Sequence, residues 1–490
     1  MTVVPRLVLS APSSGHGKNA LAIGLLAALA DRGLGVAGFK IGPDQVDAAY
    51  LGLAAGRPGR TLDPRLVGTE RLAPLLLHGA AGTELAVVQG SMGLYDSLTG
   101  RSETESTAAI ATALRSPVVL VVDVAAMGQS VAALVHGFRA YDEQLWIGGV
   151  ILNRVASARH EALLREALDD IGIPVYGALR RQDLPSVLPS RRHGVVPVLD
   201  GAGEAARAVR RLGEAVTATV DLERLLGLAR SAPELGVQPW SPVVTDDGAP
   251  AGAARPIVAV AGGPGGTFSH AETVELLRAA GAEVVTLDPL ADEVLPVGTR
   301  ALVVGGALPE SYAEQLSANR RLCIAVAELA RTGRPVVAEG AGLLWLAREL
   351  DGLPMCGVID AIGSLRDGLV VGYREATAQS DSVVAARGEV VTGHKEHRAV
   401  LNPRGGQRPA WSWPGGAPEG FIWRGVHASQ LVPHWAAYPR IATRLVAAAS
   451  AEPATVPAGP GGGAPAGPAG VDPAGPAGVA ASGPAGGPSA

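Results

Sequence analysis

The sequence predicts an α/β protein in which two sections, each built around a parallel sheet, follow one another along the chain. Apolar segments of strand length alternate with helical patterns over residues 1–199 and again over 256–447. A Gly-rich turn joins the first strand to the first helix, and a stretch without periodicity separates the two sections. The chain of 490 residues is 47% hydrophobic, which suffices for two or three domains.

Six strands are predicted in the first section. Their sequences are RLVLSA, GVAGFKI, LAVVQG, PVVLVVD, WIGGVILN and IPVYGAL. We expect helices between them, for example over 18–31, 104–115 and 157–171. Apolar strands of this kind are typical of a parallel sheet that helices cover on both faces.

Residues 200–255 are predicted to be a linker, because the alternation is lost and turn formers accumulate in QPWSPVVTDDGAPAGAARP. A second, separate α/β domain is predicted over 256–447, with the segments PIVAVAGG, AEVVTLDPL, ALVVGGALPE, RPVVAEG and GVHASQLVPHWAAYPRIATRLV. Residues 448–490 consist mainly of Ala, Pro and Gly and predict a disordered tail.

Charge and cysteine content exclude several classes of function. The formal net charge of −5, without a long charged block, argues against a nucleic-acid or anionic-membrane partner. Cys323 and Cys356 are too few for a disulfide framework and lack the spacing of metal ligands. Neither a signal peptide nor a long uninterrupted apolar segment is evident, so we expect a cytoplasmic protein.

The segment RLVLSAPSSGHGKNA predicts a phosphate-binding loop between the first strand and the first helix. Gly15 and Gly17 allow the tight turn, Lys18 supplies a compact positive charge, and backbone N–H groups point at the anion. The next residue in such loops is Ser or Thr, whose hydroxyl binds Mg²⁺, but this chain has Asn19.

Lysine is rare in this chain and concentrated near that loop. The only lysines are Lys18, Lys40 and Lys395, and arginine carries nearly all other positive charge. A planar guanidinium does not replace an ammonium that a phosphate loop surrounds, which supports a phosphate site at Lys18.

Several motifs in one order carry a resemblance to a known family. They are KIGPD at 40–44, MGLYD at 92–96, GYRE at 372–375 and GVHAS at 425–429, together with the pairs Gly305-Gly306 and Pro309-Glu310. The chain resembles the cobyrinic acid (hydrogenobyrinic acid) a,c-diamide synthases of vitamin B12 biosynthesis over about residues 5–447.

The resemblance implies two domains with different chemistry. The first resembles dethiobiotin synthetase and uses ATP and Mg²⁺ to activate the a and c acetate carboxylates of a corrinoid as acyl phosphates. The second resembles class I glutamine amidotransferases, in which a cysteine on a strand-to-helix turn attacks glutamine and ammonia is released. By matching motifs, the resemblance implies ATP contacts at Gly15, Gly17, Lys18 and Asn19, substrate contacts at Lys40, Asp44, Asp47 and Tyr95, and a metal site at Asp44 and Gln89.

Two departures from the family pattern fall on the metal site. Asn19 stands where the family has Thr, and Gln89 stands where it has Glu. The first exchange replaces a hydroxyl by a bulkier amide, and the second removes a negative charge, so we expect a weakened Mg²⁺ site.

A third departure falls on the amidotransferase turn. Gly340, in the sequence AEGAG, stands where the family has the nucleophilic cysteine. Glycine adopts the strained backbone of such a turn without penalty, so the exchange keeps the turn and deletes the thiol. His427 matches the base of the family, and on this basis Gly340→Cys is expected to recover some glutaminase activity.

Three hypotheses therefore compete. The one we rank first is a pseudoenzyme that keeps the fold, binds corrinoid or nucleotide, and acts as a homodimer or with an active homologue. The second is an active a,c-diamide synthase that uses free ammonia or ammonia from a partner. The third, an NTPase of dethiobiotin-synthetase or ParA type, explains only about the first 200 residues.

Overall fold

The computed structural model describes residues 4–183, 188, 190–191, 194–195, 203–243, 255–263, 266–306 and 312–452. The described residues belong to one compact unit. Of the predicted tail over 448–490, the first residues complete a helix that ends at Ser450, and residues 453–490 lie outside the described part.

The first sheet has seven strands, all parallel, in the order β3-β2-β4-β1-β5-β6-β7, which confirms the predicted parallel sheet. β1 lies between β4 and β5, so the strand order reverses there and the loop after β1 opens into a crevice at the carboxyl edge. The strands are β1 (Arg6–Ser10), β2 (Val36–Ile41), β3 (Arg60–Leu62), β4 (Leu85–Gln89), β5 (Val118–Asp123), β6 (Ile147–Val155) and β7 (Val175–Arg180).

Eight helices accompany this sheet, and the first occupies the residues predicted for it. The predicted helix over 104–115 is interrupted at Ser106, whose hydroxyl accepts a hydrogen bond from Ala109 N at 3.1 Å and so caps a new helix. The helices are α1 (Lys18–Asp31), α2 (Gln45–Ala55), α3 (Pro64–Val67), α4 (Leu72–Gly79), α5 (Ser102–Glu105), α6 (Thr107–Ala113), α7 (Ser130–Tyr141) and α8 (Ala158–Asp169).

Two helices lie within the range predicted to be a linker. After the short strands β8 (Ser190–Arg191) and β9 (Gly194–Val195), the chain forms α9 (Glu204–Thr219) and α10 (Leu222–Arg230). Both bury apolar side chains in the same cluster as α1. The prediction of a linker over 200–255 did not include these helices, because two successive amphipathic helices without a strand between them do not show the strand-helix alternation. Residues 244–254 lie outside the described part.

The second half contains two further sheets. One has the order β11-β10-β13-β14-β21-β20, with β12 paired to β10, and the other has the order β16-β15-β17-β18-β22, with β19 paired to β17. The strands are β10 (Ile257–Gly263), β11 (Gly266–Thr267), β12 (Glu283–Leu287), β13 (Thr299–Val304), β14 (Val336–Glu339), β15 (Glu349–Leu350), β16 (Leu353–Pro354), β17 (Ile362–Ala378), β18 (Val390–Asn402), β19 (Trp411–Ser412), β20 (Phe421–Trp423), β21 (Val426–Ser429) and β22 (Val432–Pro433).

β10, β12, β13, β14 and β21 are parallel neighbours, as the alternating pattern predicted. The helices of this half are α11 (Ala271–Ala279), α12 (Ala313–Ala318), α13 (Arg320–Arg331), α14 (Gly342–Leu346) and α15 (Arg440–Ser450). Within the part of the chain that the structure describes, no helix is long and apolar enough to cross a membrane.

Candidate functional site

The loop after β1 has the geometry of an anion site. Gly15 and Gly17 both adopt φ of 91°, a left-handed conformation that favours glycine, and α1 begins immediately afterwards at Lys18. Gly17 is the N-cap residue and provides no side-chain cap for α1. The first N–H groups of this 14-residue helix are thus available to an anion.

His16 fixes the loop to the ends of two neighbouring strands. Its Nδ1 accepts a hydrogen bond from Asp123 N at 2.8 Å, and its carbonyl oxygen accepts one from Asn153 Nδ2 at 2.9 Å. These bonds hold the middle of the loop at the carboxyl ends of β5 and β6.

Lys18 is buried at the start of α1, and its charge is unfavourable there. Burial, followed by the positive charge of Lys40, lowers the pKa of Lys18 to about 8, although Asp47 and Asp96 act in the opposite direction. An anion at the loop would offset this positive charge. Asp96, the last residue of the MGLYD motif, is thus close enough to the phosphate loop for its charge to raise the pKa of Lys18.

Asp47 is the centre of a closed polar cluster beside the loop. Its Oδ2 accepts hydrogen bonds from Asn19 Nδ2 at 2.8 Å and from Gln89 Nε2 at 2.7 Å, and it lies 3.1 Å from Lys40 Nζ. Lys40 Nζ also contacts the carbonyl oxygen of Gly90 at 3.3 Å. One carboxylate oxygen therefore receives three donors, from the two departures at positions 19 and 89 and from a lysine.

These residues do not fit a divalent cation in this arrangement. Mg²⁺ takes carboxylate, hydroxyl and phosphate oxygens, whereas the groups that face Asp47 are two amide N–H groups and an ammonium. The amides are oriented by the hydrogen-bond network, because amide oxygens facing Asp47 would be repelled by its carboxylate. Gln89 Oε1 is buried without a hydrogen-bond partner among the described residues, so position 89 directs its acceptor away from the cluster.

Asp44 performs a structural task next to this cluster. Its Oδ1 accepts hydrogen bonds from Val46 N and Asp47 N, both at 2.9 Å, and thereby caps α2. Burial and the neighbouring Asp47 raise the pKa of Asp44 to about 6. The cap explains why an aspartate stands at this position whether or not a metal binds.

The structure places Tyr95 in packing rather than in the cleft. Its hydroxyl donates to the carbonyl oxygen of Phe138 at 2.6 Å, and its ring contacts the rings of Phe138 and Tyr141 on α7. These contacts fix the loop after β4, and they do not support the substrate contact predicted for Tyr95.

The second half of the chain closes over the carboxyl edge of the first sheet. Tyr373 of β17 donates to Asp63 Oδ2 at 2.7 Å, and His270 contacts Gln45 Nε2 and Thr61 Oγ1, each at 3.0 Å. A further buried contact joins Arg60 and Glu272 at 2.6 Å. Through Gln45, the start of α2 beside Asp44 and Asp47 is therefore in contact with the second half of the chain.

Glu396 of β18 lines the cleft that these contacts enclose. Its side chain is accessible to solvent. Even so, desolvation by the surrounding protein raises its pKa to about 7, and the negative charges of Asp44 and Asp47 act in the same direction. A group that is both accessible and desolvated lies in a concavity. No local sequence pattern points to Glu396, because only the pairing of β17 with β18 brings it to the cleft.

Gly340 follows β14 and has the conformation predicted for a nucleophile turn, with φ of 55°. A Cβ atom at this position would lie 2.8 Å from Gly306 Cα and 3.0 Å from Val432 Cγ2. Real Cβ atoms do not approach backbone atoms so closely, so the space of the missing side chain is filled. Pro309 and Glu310 of the neighbouring motif lie outside the described residues.

His427 does not lie beside Gly340. It pairs with Val337 in the ladder between β21 and β14, three residues before Gly340, which corresponds to about 10 Å of strand. Its Nδ1 contacts Ser382 Oγ at 3.0 Å, and burial lowers its pKa to about 3. The assignment of His427 as a base for position 340 is therefore corrected.

The side chain that faces position 340 is Val432, which can neither accept nor donate a proton. The motif match selected a histidine on β21, the strand that neighbours β14. The residue that contacts Gly340, however, is Val432, which lies beyond the turn that follows β21. Cys323 and Cys356 are both buried, and neither belongs to the turn. The described residues thus supply no nucleophile and base together at the turn.

Glu339, the residue before Gly340, is buried and accepts a hydrogen bond from Trp435 Nε1 at 2.8 Å. Burial raises the pKa of Glu339 to about 8, so the carboxyl group is protonated at neutral pH. A carboxyl group with a raised folded-state pKa stabilises the fold below its unfolded pKa, near 4.3, and that stability is lost as pH rises towards 8.

Glu339→Gln is expected to remove this pH dependence, because the amide is neutral at every pH and its oxygen still accepts from Trp435. Relative to the variant, the wild-type protein should lose stability on the order of 4 kcal/mol between pH 4.5 and pH 9. Urea unfolding of both proteins at several pH values measures the difference, with the exposed Glu314→Gln as control. A constant difference across this range would contradict the assignment.

Comparison with known proteins agrees with this architecture. Residues 7–195 match the family described as CobQ/CobB/MinD/ParA nucleotide binding domain, and residues 265–430 match the CobB/CobQ-like glutamine amidotransferase domain. A hydrogenobyrinate a,c-diamide synthase of Streptomyces coelicolor is 52% identical over 474 residues, covering 91% of this chain and 97% of the relative.

Two further relatives show similar coverage. A hydrogenobyrinate a,c-diamide synthase of Thermobifida fusca is 47% identical, with 92% of this chain and 98% of the relative covered. A cobyrinate a,c-diamide synthase of Dehalococcoides mccartyi is 33% identical, with 90% and 97% covered.

Fold and site together define a protein with a phosphate-loop nucleotide-binding half and a glutamine-amidotransferase-like half. The chain belongs to the family of hydrogenobyrinate and cobyrinate a,c-diamide synthases. Because the matches extend through both halves, the interpretation as a ParA-type or dethiobiotin-synthetase-type NTPase alone does not account for residues 265–430.

Proposed function

We propose that this chain is a catalytically impaired a,c-diamide synthase homologue of cobalamin biosynthesis that binds a corrinoid and a nucleotide in the cytoplasm. The observation that carries the proposal is the closed cluster at Asp47, whose Oδ2 receives donors from Asn19, Gln89 and Lys40. Asn19 and Gln89 donate hydrogen bonds to the Asp47 carboxylate within the protein. A metal-binding enzyme, by contrast, keeps such carboxylate oxygens free for the cation.

Nucleotide binding does not require the groups that have changed. Lys18, the left-handed Gly15 and Gly17, and the free N–H groups of α1 provide the contacts for ATP phosphates. These residues bind and position the phosphates, while the adjoining Asp47 cluster contributes no free carboxylate. We therefore propose that ATP or ADP binds weakly and with little dependence on Mg²⁺.

Glutamine hydrolysis is lost independently in this proposal. Position 340 has no thiol, the side chain facing it is Val432, and His427 is held by Ser382 on another part of the sheet. Since position 340 has no nucleophile and the side chain that faces it is not a base, we propose no glutaminase activity. In this proposal the chain acts as a homodimer or with an active homologue.

A second candidate function is a diamide synthase that uses ammonia, either free or supplied by a partner. It is favoured by the retention of Lys18, Lys40, Asp44 and Asp47 around the phosphate loop. Those four residues would bind ATP and the corrinoid carboxylate, and ammonia from outside the chain would replace the ammonia that an active amidotransferase half releases from glutamine. This candidate requires the Asp47 cluster to open during the reaction.

Calorimetric titration with ATP and ADP, with and without Mg²⁺, separates these proposals. We expect Mg²⁺ to change the dissociation constant by less than about threefold, and Lys18→Ala to weaken binding by at least roughly tenfold, or 1.4 kcal/mol. Lys18→Arg keeps the charge and controls for electrostatics, and it should bind nearly as poorly because its fork does not fit the loop. A tenfold gain in affinity on adding Mg²⁺ would contradict the impaired metal site.

A further inference from the structure

β17 exposes three consecutive apolar residues in the middle of the hairpin that it forms with β18. Leu369, Val370 and Val371 are 45%, 38% and 41% exposed, and the pairing of β17 with β18 is irregular between Leu365 and Val370. Such a bulge bends the strand and redirects its side chains. Because side chains alternate along a strand, Leu369 and Val371 lie on one face of β17 and Val370 lies on the other.

The apolar segment lies at the cleft that contains the phosphate loop. Val371 pairs directly with Glu396, and directly opposite residues of an antiparallel pair project from the same face. Glu396 is close enough to Asp44 and Asp47 for their charges to raise its pKa. Tyr373, two residues further on the same face, donates to Asp63 of the first half.

Basic residues flank this apolar segment. Arg366 precedes it in the bulge, and Arg374 follows it on β17. Arg398 on β18 donates to the carbonyl oxygen of Asp367, at the other side of the bulge. An apolar surface bordered by guanidinium groups fits a ligand that is apolar in the middle and carries carboxylates at its edge.

We propose that Leu369 and Val371, on the face of β17 that also carries Tyr373, bind the apolar face of the corrin ring, with Arg366 and Arg398 contacting its peripheral carboxylates. A corrinoid is a wide ring with acetate and propionate arms, so this placement directs one arm towards Lys18 and Lys40 across the cleft. The inference rests on the proposed function, since it assigns the surface by which the proposed corrinoid is held.

Leu369→Ser/Val371→Ser tests the surface with the full-length protein. The titrants are cobyrinic acid and hydrogenobyrinic acid, whose strong visible absorption reports binding directly. We expect the dissociation constant to rise at least about tenfold for the double variant. Val390→Ser alters a valine that is 52% exposed on the same hairpin but away from the bulge, and it should change the constant by less than about twofold.

ATP titration of the same variants verifies that the phosphate site is intact. If the wild-type protein binds neither corrinoid, the proposed function fails and this inference fails with it. If the wild-type protein binds corrinoid and the double variant binds it equally well, only the apolar surface is wrong. A loss of dimerisation in sedimentation experiments with unchanged corrinoid affinity would identify Leu369 and Val371 as a subunit contact and likewise overturn the inference.

Discussion

Gly340→Cys is expected to leave the protein without measurable glutaminase activity. The new Cβ atom would lie 2.8 Å from Gly306 Cα, so the turn must shift before a thiol is accommodated. The thiol would then face Val432, which cannot take its proton. His427 instead pairs with Val337, three residues before Gly340, and contacts Ser382. This outcome differs from the one that the motif match alone predicts.

Gly340→Cys/Val432→His is the informative comparison, because an imidazole at 432 would stand where the valine methyl now approaches position 340. A well-placed general base contributes roughly 10²- to 10⁴-fold. We expect the double variant to release glutamate from glutamine at least about a hundredfold faster than Gly340→Cys.

Gly340→Ser, which adds the same Cβ atom without a thiol, controls for strain at the turn. Labelling by the glutamine analogue diazo-oxo-norleucine should follow the same order of variants. Equal activity of Gly340→Cys and the double variant would show that another base serves the turn, and labelling of Cys323 or Cys356 in the wild-type protein would contradict the loss of glutaminase chemistry.

Asn19→Thr/Gln89→Glu is expected to restore metal dependence to the phosphate site. The exchange removes two amide donors from Asp47 and returns a hydroxyl and a carboxylate, which are ligands suited to Mg²⁺. Losses of single electrostatic groups commonly cost about 2.7–4 kcal/mol, or a hundredfold to a thousandfold in rate. The revertant should therefore form corrinoid diamide with ATP and ammonium at least roughly a hundredfold faster than the wild-type protein.

The revertant should also show a rise in melting temperature on adding Mg²⁺, which the wild-type protein lacks. Without metal, the second carboxylate beside Asp47 is destabilising, so the shift reports the cation directly. Asn19→Val/Gln89→Glu has the shape of the threonine variant without its hydroxyl and should show a smaller shift. The same Mg²⁺-dependent shift in the wild-type protein would place a working metal site in the unmodified chain.

The sequence predicted those features that depend on local pattern. The first helix, the parallel strands and the left-handed turn at Gly340 follow from periodicity and from the glycine itself. α9 and α10 were missed, because amphipathic helices without intervening strands resemble an irregular segment.

Side-chain direction explains most of what the sequence missed at the site. A motif gives residue types, but strand register decides that His427 pairs with Val337 and that Val432 faces Gly340. Similarly, no local pattern reveals that Asn19 and Gln89, 70 positions apart in the chain, both donate to Asp47. Valine carries no chemical signal, so only the folded structure draws attention to position 432.

The most direct measurement is the rate at which the unmodified protein forms corrinoid diamide from hydrogenobyrinic or cobyrinic acid with ATP, Mg²⁺ and ammonium. Ammonium bypasses the amidotransferase half, so the rate reports the phosphate site and its Asp47 cluster alone. The closed cluster predicts no detectable turnover, or turnover at least roughly a hundredfold below that of Asn19→Thr/Gln89→Glu under the same conditions. Turnover by the wild-type protein equal to that of the revertant would contradict the impaired site and establish an ammonia-dependent synthase.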